Sequence, residues 1–227
     1  MILESTCKIC KGRGFVHKII DGYDYEVECE CQIPLKIERW LKLSGVDYAE
    51  YARKNLDTFK TDTAESKAMK ALAEKFIHDK VSGIAYFGEN GTGKTHICIS
   101  ICQELTRKYQ RPHLYFSYSQ EVQKLKSLIF SAQEYQNSIL PWKSAPVLYI
   151  DDLFKFALDR NGNVQMQDLQ IMFDIINTRY INKSITIFSS EYTLNDINKI
   201  DSALAGRIYE MCNPYLMKCT EKSRRFK

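Results

Sequence analysis

Gly88-Glu89-Asn90-Gly91-Thr92-Gly93-Lys94-Thr95 is the stretch on which the reading of this 227-residue chain turns. It satisfies G-x-x-x-x-G-K-[ST], and its flanks are those the pattern requires. Ile84-Ala85-Tyr86-Phe87 before it is a short apolar run suited to a buried parallel strand. After it, His96 to Tyr109 carries Ile97, Ile101 and Leu105 at helical spacing. Strand, glycine-rich loop and helix follow in the order of a phosphate cradle. Gly88, Gly91 and Gly93 allow backbone conformations that side chains block, so successive N–H groups can converge on phosphate oxygens. The helix N-terminus adds partial positive charge. Lys94 is then expected to reach the β and γ phosphates of a nucleotide such as ATP, and the Thr95 hydroxyl to ligate Mg²⁺. An incidental glycine-rich turn would carry neither flank.

A second element supports the first. Val147-Leu148-Tyr149-Ile150 is a hydrophobic strand that ends in Asp151-Asp152. Such a strand supplies what a cradle of this type needs for phosphoryl transfer to water. Asp151 is expected to hold Mg²⁺ through water, and Asp152 to polarise the attacking water as general base. A further strand, Ser184 to Ser190, ends in Ser189-Ser190-Glu191, polar residues in a position to touch the γ-phosphate.

Composition sets the wider limits. The length suits one α/β core plus a small appendage. Apolar residues make up 44% and charged residues 26%, the balance of a soluble globular protein. No run approaches the ~20 apolar residues that span a bilayer, and the N-terminus lacks a signal-peptide core, so no membrane association is expected. A formal charge of +4 neither demonstrates nor opposes a nucleic-acid partner. Eight cysteines on a secreted chain would suggest disulfides. An ATP site points instead to the reducing cytosol, hence a cytoplasmic protein whose cysteines bind metal or are buried.

Four of those cysteines cluster as Cys7-x-x-Cys10 and Cys29-x-Cys31, two pairs spaced for a tetrahedral Zn²⁺ site of four thiolates. Between them, Phe15, His17 and Tyr23 to Val27 alternate around Asp21-Gly22, a β-hairpin pattern. His17 is an alternative ligand or simply a solvated hairpin residue. No general base accompanies the cluster, so the zinc is expected to be structural and to supply much of the unit's folding energy. Residues 35 to 60 read as a helical connector with a helix over Leu35 to Leu43 and a break at Ser44-Gly45. The expected division is therefore 1–34 zinc-binding, 35–60 linker, and 61–227 nucleotide-binding. Phe59 is a candidate to stack near the adenine.

Further elements follow from periodicity. Thr63 to Asp79 is a helix with Met69, Leu72, Ala73, Phe76 and Ile77 on one face. His113 to Ser117 is a strand, Glu121 to Ser131 a helix, and residues 132 to 145, with Pro141 and Trp142, a loop. Residues 159 to 163 form a turn, Met166 to Tyr180 a helix, Asn195 to Tyr209 a helix, and Tyr215 to Cys219 the last strand. Cys98 and Cys102 have no flanking ligands and are read as small core residues.

Together these segments resemble the AAA+ ATPases of the DnaC/DnaI helicase-loader group, which includes the IstB transposition ATPases. The resemblance covers roughly residues 40 to 227. It rests on Gly88 to His96 (GENGTGKTH), Val147 to Phe154 (VLYIDDLF), Ile176 to Tyr180 (INTRY), Ser189-Ser190-Glu191, and Leu204 to Ile208 (LAGRI). It implies an α/β fold of five parallel strands in the order 5-1-4-3-2, with helices on both faces and no C-terminal lid. Asn90, Thr92 and His96 would then join the glycines, Lys94 and Thr95 in holding the nucleotide. Glu191 stands where many loaders have Asn, so the sensor role would either rest on Ser190 or be altered. Arg207 corresponds to the arginine finger that reaches a neighbouring subunit's site, with Arg179 as the competing trans residue, and the active form would be a homo-oligomer with ATP. Arg225 stands as either a γ-phosphate sensor or part of a basic tail.

The cysteine-bearing N-terminus looks like the small zinc domain with which some DnaI-type loaders grip the hexameric replicative DNA helicase. The leading expectation is an ATP-dependent loader of that helicase onto single-stranded DNA, with Tyr118, Lys124 and Lys126 as DNA-contact candidates. An IstB-type transposition helper on duplex DNA is the alternative from the same fold. A small-molecule kinase would need an acceptor-binding motif, and none is evident. A purely zinc-based DNA-binding module would leave the ATPase motifs unused.

Overall fold

The computed structural model describes residues 7–79, 81–157, 164–221 and 223. At the N-terminus, β1 (Phe15–Ile20) and β2 (Tyr23–Glu28) pair antiparallel. The turn between them is closed by Asp21 and Gly22, both at positive φ, as a two-residue hairpin demands. Helix α1 (Gln32–Leu43) follows and stops at Ser44-Gly45. Gly45 sits at φ +92°, and a Cβ there would lie 3.3 Å from the Tyr115 carbonyl, so the break is also a close approach to the core. A single turn, α2 (Glu50–Arg53), leads to α3 (Ala64–His78). Thr63 and Ser66 cap α3 reciprocally, which fixes its start.

The core then alternates strand and helix: β3 (Gly83–Gly88), α4 (Lys94–Tyr109), β4 (His113–Ser117), α5 (Tyr118–Leu128), α6 (Ala132–Ser144) and β5 (Val147–Asp151). It closes with α7 (Met166–Ile181), β6 (Ile185–Ser190), α8 (Leu194–Ile200), α9 (Ser202–Cys212) and β7 (Leu216–Cys219). The five core strands are parallel in the order β4-β5-β6-β3-β7. Read from β7 and numbered among themselves, that is the expected 5-1-4-3-2. Side-chain alternation along β5 divides the interior into two layers. Leu148 and Ile150 pack with Phe116, Phe188 and the buried faces of α5, α7 and α9. Val147 and Tyr149 pack with Ile84, Tyr86, Ile187, α3 and α4. Leu41, Val46, Tyr51 and Phe59 belong to this second layer, so the segment between hairpin and α3 is folded onto the sheet's α4 side.

Three expectations about helices change. Residues 132 to 144 are a helix and not a loop. Pro141 lies in its last turn, where the missing N–H forfeits a single backbone bond, while Ile139 is buried and Trp142 packs edge-on to Phe116 at 5.1 Å. The helix end is completed by Arg179, which is fully buried on α7. Its guanidinium donates to the carbonyls of Trp142 (3.1 Å), Lys143 (3.4 Å) and Ala145 (2.8 Å), and to Thr186 Oγ1 (2.9 Å). The expected single helix over 195 to 209 is two, because Asp201 turns extended and its carboxylate accepts the Leu204 N–H at 2.6 Å, capping α9. Helix α5 begins at Tyr118, earlier than expected, and ends at Leu128. The turn expected at 159–163 and the basic tail with Arg225 lie outside the described residues.

Candidate nucleotide site

The glycine-rich loop leaves β3 at Gly88 and enters α4 at Lys94. Gly88, Gly91 and Gly93 all have positive φ. Each is also crowded: a Cβ would strike the Cys219 carbonyl at Gly88, Ser223 at Gly91, and Phe59 Cε2 at 3.0 Å at Gly93. The loop therefore curls inward, as a phosphate cradle must. Beside it lies a cleft of about 450 Å³ lined by Asn90, Gly91, Gly93, Lys94, Thr95 and His96, together with Phe59, Asp152 and Lys155. Lys94 is nearly buried, and Nζ donates to the carbonyls of Gly88 and Glu89, both at 2.7 Å. Burial lowers its pKa, with the nearby carboxylates of Asp152 and Glu191 among the groups opposing that shift. Thr92 is buried and bonds the Glu89 carbonyl at 3.2 Å, bracing the turn. His96 Nε2 lies 3.1 Å from the Asn55 carbonyl, and its ring meets Phe59 edge-on at 5.1 Å.

The two strand-end acids differ in surroundings. Asp151 is buried and served by hydroxyls. Oδ1 accepts from Thr95 Oγ1 (3.2 Å), Ser189 Oγ (2.5 Å) and the Tyr149 phenol, while Oδ2 accepts from Tyr115 Oη (2.8 Å). A hydroxyl and a carboxylate brought together at the helix N-terminus form a hard oxygen pair suited to Mg²⁺. Asp152, at φ +55°, points its carboxylate to Lys155 Nζ at 2.8 Å. Lys155 in turn reaches Glu191 Oε1 at 2.7 Å. Burial works against the Lys155 charge, but the two carboxylates outweigh it and raise its pKa.

Ser190 does not join the cleft. It is fully buried, donates to the Leu153 carbonyl at 2.6 Å and accepts the Tyr192 N–H at 3.1 Å. Its neighbour Ser189 bonds Asp151 and also accepts the Asp152 N–H at 3.2 Å. Adjacent strand residues face opposite sides, so it is Ser189 that joins the two acids. Arg207 does not line the cleft either. It lies on α9 over α7, with Nε donating to Asn177 Oδ1 at 2.7 Å and the guanidinium 4.6 Å from the Phe173 ring centre. Arg179 is withdrawn as a trans residue, since its donors are spent inside the chain. Two DNA-contact candidates are withdrawn as well: Tyr118 is buried and donates to Asp168 at 3.1 Å, and Lys126 pairs with Asp168 at 2.6 Å. Lys124 is exposed and pairs with Glu121.

Lys155, Tyr115 and Tyr149 are the residues that sequence reasoning missed, and of the expected strand-end pair it is Ser189, not Ser190, that meets the acids. Only Lys155 left a signal, a basic residue three positions after the second acid; the others converge on Asp151 from different strands.

At the N-terminus the Sγ atoms of Cys7, Cys10, Cys29 and Cys31 all lie within 4.8 Å of one another. Cys7 and Cys29 are 3.6 Å apart, as are Cys10 and Cys31. Four thiolates about 2.3 Å from a tetrahedral Zn²⁺ sit roughly 3.8 Å from each other, so the donor set fits that ion. The Gly14 N–H, 3.3 Å from Cys10 Sγ, is the main cause that lowers that thiol's pKa to about 6. His17 lies apart from the cluster, bonded to Asp24 on the exposed hairpin. Cys98, Cys102, Cys212 and Cys219 are buried core residues.

A five-stranded parallel sheet in this order, with a glycine loop on its central side and an acid-tipped strand beyond, defines an α/β P-loop domain of the AAA+ type. The chain belongs to the family of IstB-like ATP binding proteins, which matches residues 33–212. It is 31% identical over 223 residues to the phage-like element PBSX protein XkdC of Bacillus subtilis (strain 168), covering 93% of this chain and 81% of that protein. Among solved structures, the DnaC helicase loader superposes with a TM-score of 0.64 at 20% identity, covering 75% of this chain and 99% of that one. DnaI superposes with a TM-score of 0.62 at 21% identity, covering 82% and 100%. Among the described residues, no helix is long and apolar enough to cross a membrane.

Proposed function

We propose that the chain is an ATP-dependent loader that delivers a hexameric replicative DNA helicase onto single-stranded DNA. The observation that carries this reading is the pairing, on one chain, of an ATP-binding core with a four-thiol unit whose hairpin exposes Ile19, Tyr23 and Tyr25. Apolar side chains so exposed suit a client protein, and the folds of a DnaC helicase loader and of DnaI support the same direction. Residues 1–34 would grip the helicase, 35–60 would connect, and 61–227 would bind and hydrolyse ATP. Cys7, Cys10, Cys29 and Cys31 would hold Zn²⁺, which supplies structure.

In the core, the loop N–H groups, Lys94, Asn90, Thr92 and His96 would position the nucleotide. Thr95 and Asp151 would hold Mg²⁺, whose contribution when bound is to neutralise charge on the β and γ phosphates. Asp152 would accept the proton of the attacking water on Oδ1, since Lys155 holds Oδ2. Arg207 would reach the site of an adjacent subunit in an ATP-dependent homo-oligomer, so hydrolysis by an isolated chain would be weak. Co-purification with the cognate replicative helicase in the presence of ATP tests the reading; absence of a complex in every nucleotide state would remove it.

The match to the IstB-like family over 33–212 favours a second reading, a transposition helper acting on duplex DNA. Preference for duplex over single-stranded DNA in a binding titration, without helicase capture, would put that reading first.

A further inference from the structure

Between β5 and α7 the backbone takes three left-handed residues in quick succession: Asp152 (φ +55°), Phe154 (φ +65°) and Phe156 (φ +60°). Such conformations are costly for residues other than glycine and persist only where the surroundings impose them. Here the surroundings are the end of β6. The Leu153 N–H donates to the Ser189 carbonyl at 2.9 Å, and turns closed by Lys155 N–H on the Asp152 carbonyl and Ala157 N–H on the Phe154 carbonyl fix the rest. The result is to hold Lys155 between the carboxylates of Asp152 and Glu191, at 2.8 and 2.7 Å, with its side chain on the wall of the cleft. The Glu191 carboxylate also bonds Asn90 of the glycine loop. An acid thus stands at the loop itself, where the terminal phosphate of a bound nucleotide would meet negative charge.

Beyond the Mg²⁺ that Thr95 and Asp151 would hold, that arrangement calls for a cation beside Asp152 and Glu191. Asp152, Lys94 and Lys155 line the cleft, and two further acids bond its lining residues, Asp151 through Thr95 and Glu191 through Lys155. Lys54 and Lys60 also line the cleft, and Lys54 is paired with Glu50 at 2.6 Å. Like charges a few ångströms apart in a partly desolvated site repel strongly enough to decide which nucleotide is bound.

We infer that Lys155 is the charge-compensating residue of this cleft, binding Glu191 and Asp152 so that a nucleoside triphosphate can place its last phosphate beside them. The inference rests on the reading of this cleft as the ATP site. Lys155 thereby sets the preference for triphosphate over diphosphate, because only the triphosphate extends a further negative group toward the two acids. A lysine that merely latched β5 to β6 would affect both nucleotides alike.

The test is calorimetric titration of the full chain with magnesium and either a non-hydrolysable ATP analogue or ADP. Lys155 is partly exposed, and Lys155→Met keeps its aliphatic stem, so thermal melting should stay close to the parent's. Lys155→Met should weaken the ATP analogue about tenfold and ADP less than about threefold. Adding Glu191→Gln to that variant should return the ATP analogue to within about threefold of the parent chain. Equal losses for both nucleotides, or no recovery in the double variant, would overturn the assignment while leaving the ATPase reading intact. Failure of the parent chain to bind either nucleotide would overturn both.

Discussion

The phenol of Tyr51 lies 2.7 Å from Nε2 of His113, while Thr106 Oγ1 lies 2.8 Å from the Nδ1 of the same ring. A residue from the segment preceding α3 is thereby bonded to the first residue of β4, and both are buried. Burial holds the His113 pKa down, from 6.5 to about 3. The unfolded chain therefore binds more protons than the folded one between those values. The contribution to stability is fully present above about 6.5 and is lost as pH falls toward about 3. Thermal melts should show a drop from pH 7 to pH 5 that is smaller in His113→Gln. Tyr51→Phe, which strands the buried ring nitrogen, should cost about 1–3 kcal/mol at pH 7 in denaturant titration.

Ser189 and Ser190 separate a role in the site from a role in the strand. Ser189→Ala removes both the donor to Asp151 Oδ1 and the acceptor for the Asp152 N–H. Turnover should fall about tenfold, with a raised magnesium requirement, and the melting temperature should drop as well because Ser189 is fully buried. Ser190→Ala loses its bonds to Leu153 and Tyr192, so it should lower the melting temperature while magnesium dependence stays that of the parent. Steady-state phosphate release across a magnesium series distinguishes the two.

The four-thiol cluster should carry one zinc per chain by elemental analysis. Cys10→Ser should abolish that stoichiometry and expose the hairpin to protease, since so small a unit has little core of its own. ATP binding should persist, because the cleft residues lie on the glycine loop, the start of α4, the segment after β5 and residues 54–60, all outside the hairpin. Helicase capture, if it depends on this unit, should disappear together with the metal.

Arg207→Ala and Lys94→Ala should each depress hydrolysis by about a hundredfold or more. If Arg207 serves a neighbouring subunit, mixing the two variants should restore measurable turnover, since one interface then pairs an intact cradle with an intact arginine. No recovery across mixing ratios would return Arg207 to a role within its own chain, on Asn177 and the Phe173 ring.

How far the sequence was legible depends on how local each cause is. The loop from Gly88 to Thr95 announces itself because its glycines, lysine and threonine act on one ligand within a few residues. The thiol pairs flanking a hairpin are legible for the same reason. The strand order came through resemblance, as nothing local in β3 specifies β6 and β7 as its neighbours. Helix α6 was hidden by Pro141, whose cost is small in a last turn and whose compensation, Arg179, lies on another helix. The choice between Ser189 and Ser190 depends on which face each presents. In a strand buried on both faces, β6, no alternation of polar and apolar residues reveals it. Lys155 was passed over because its partner Glu191 belongs to a different strand end.

The placement of β3 has a consequence for how the chain is made. Its register partners are Ile187 and Phe188 on one side and Leu216 and Met217 on the other, all emerging from the ribosome long after Ile84. At roughly 5–20 residues per second, several seconds separate synthesis of the cradle from that of the strands that enclose it. Until then an apolar strand with two bare edges stands in a nascent chain, the form most prone to wrong pairing. A fragment ending just after Asp152 would contain the whole glycine loop, both acids and the β4–β5 pair, yet it would lack the β6 that joins that pair to β3.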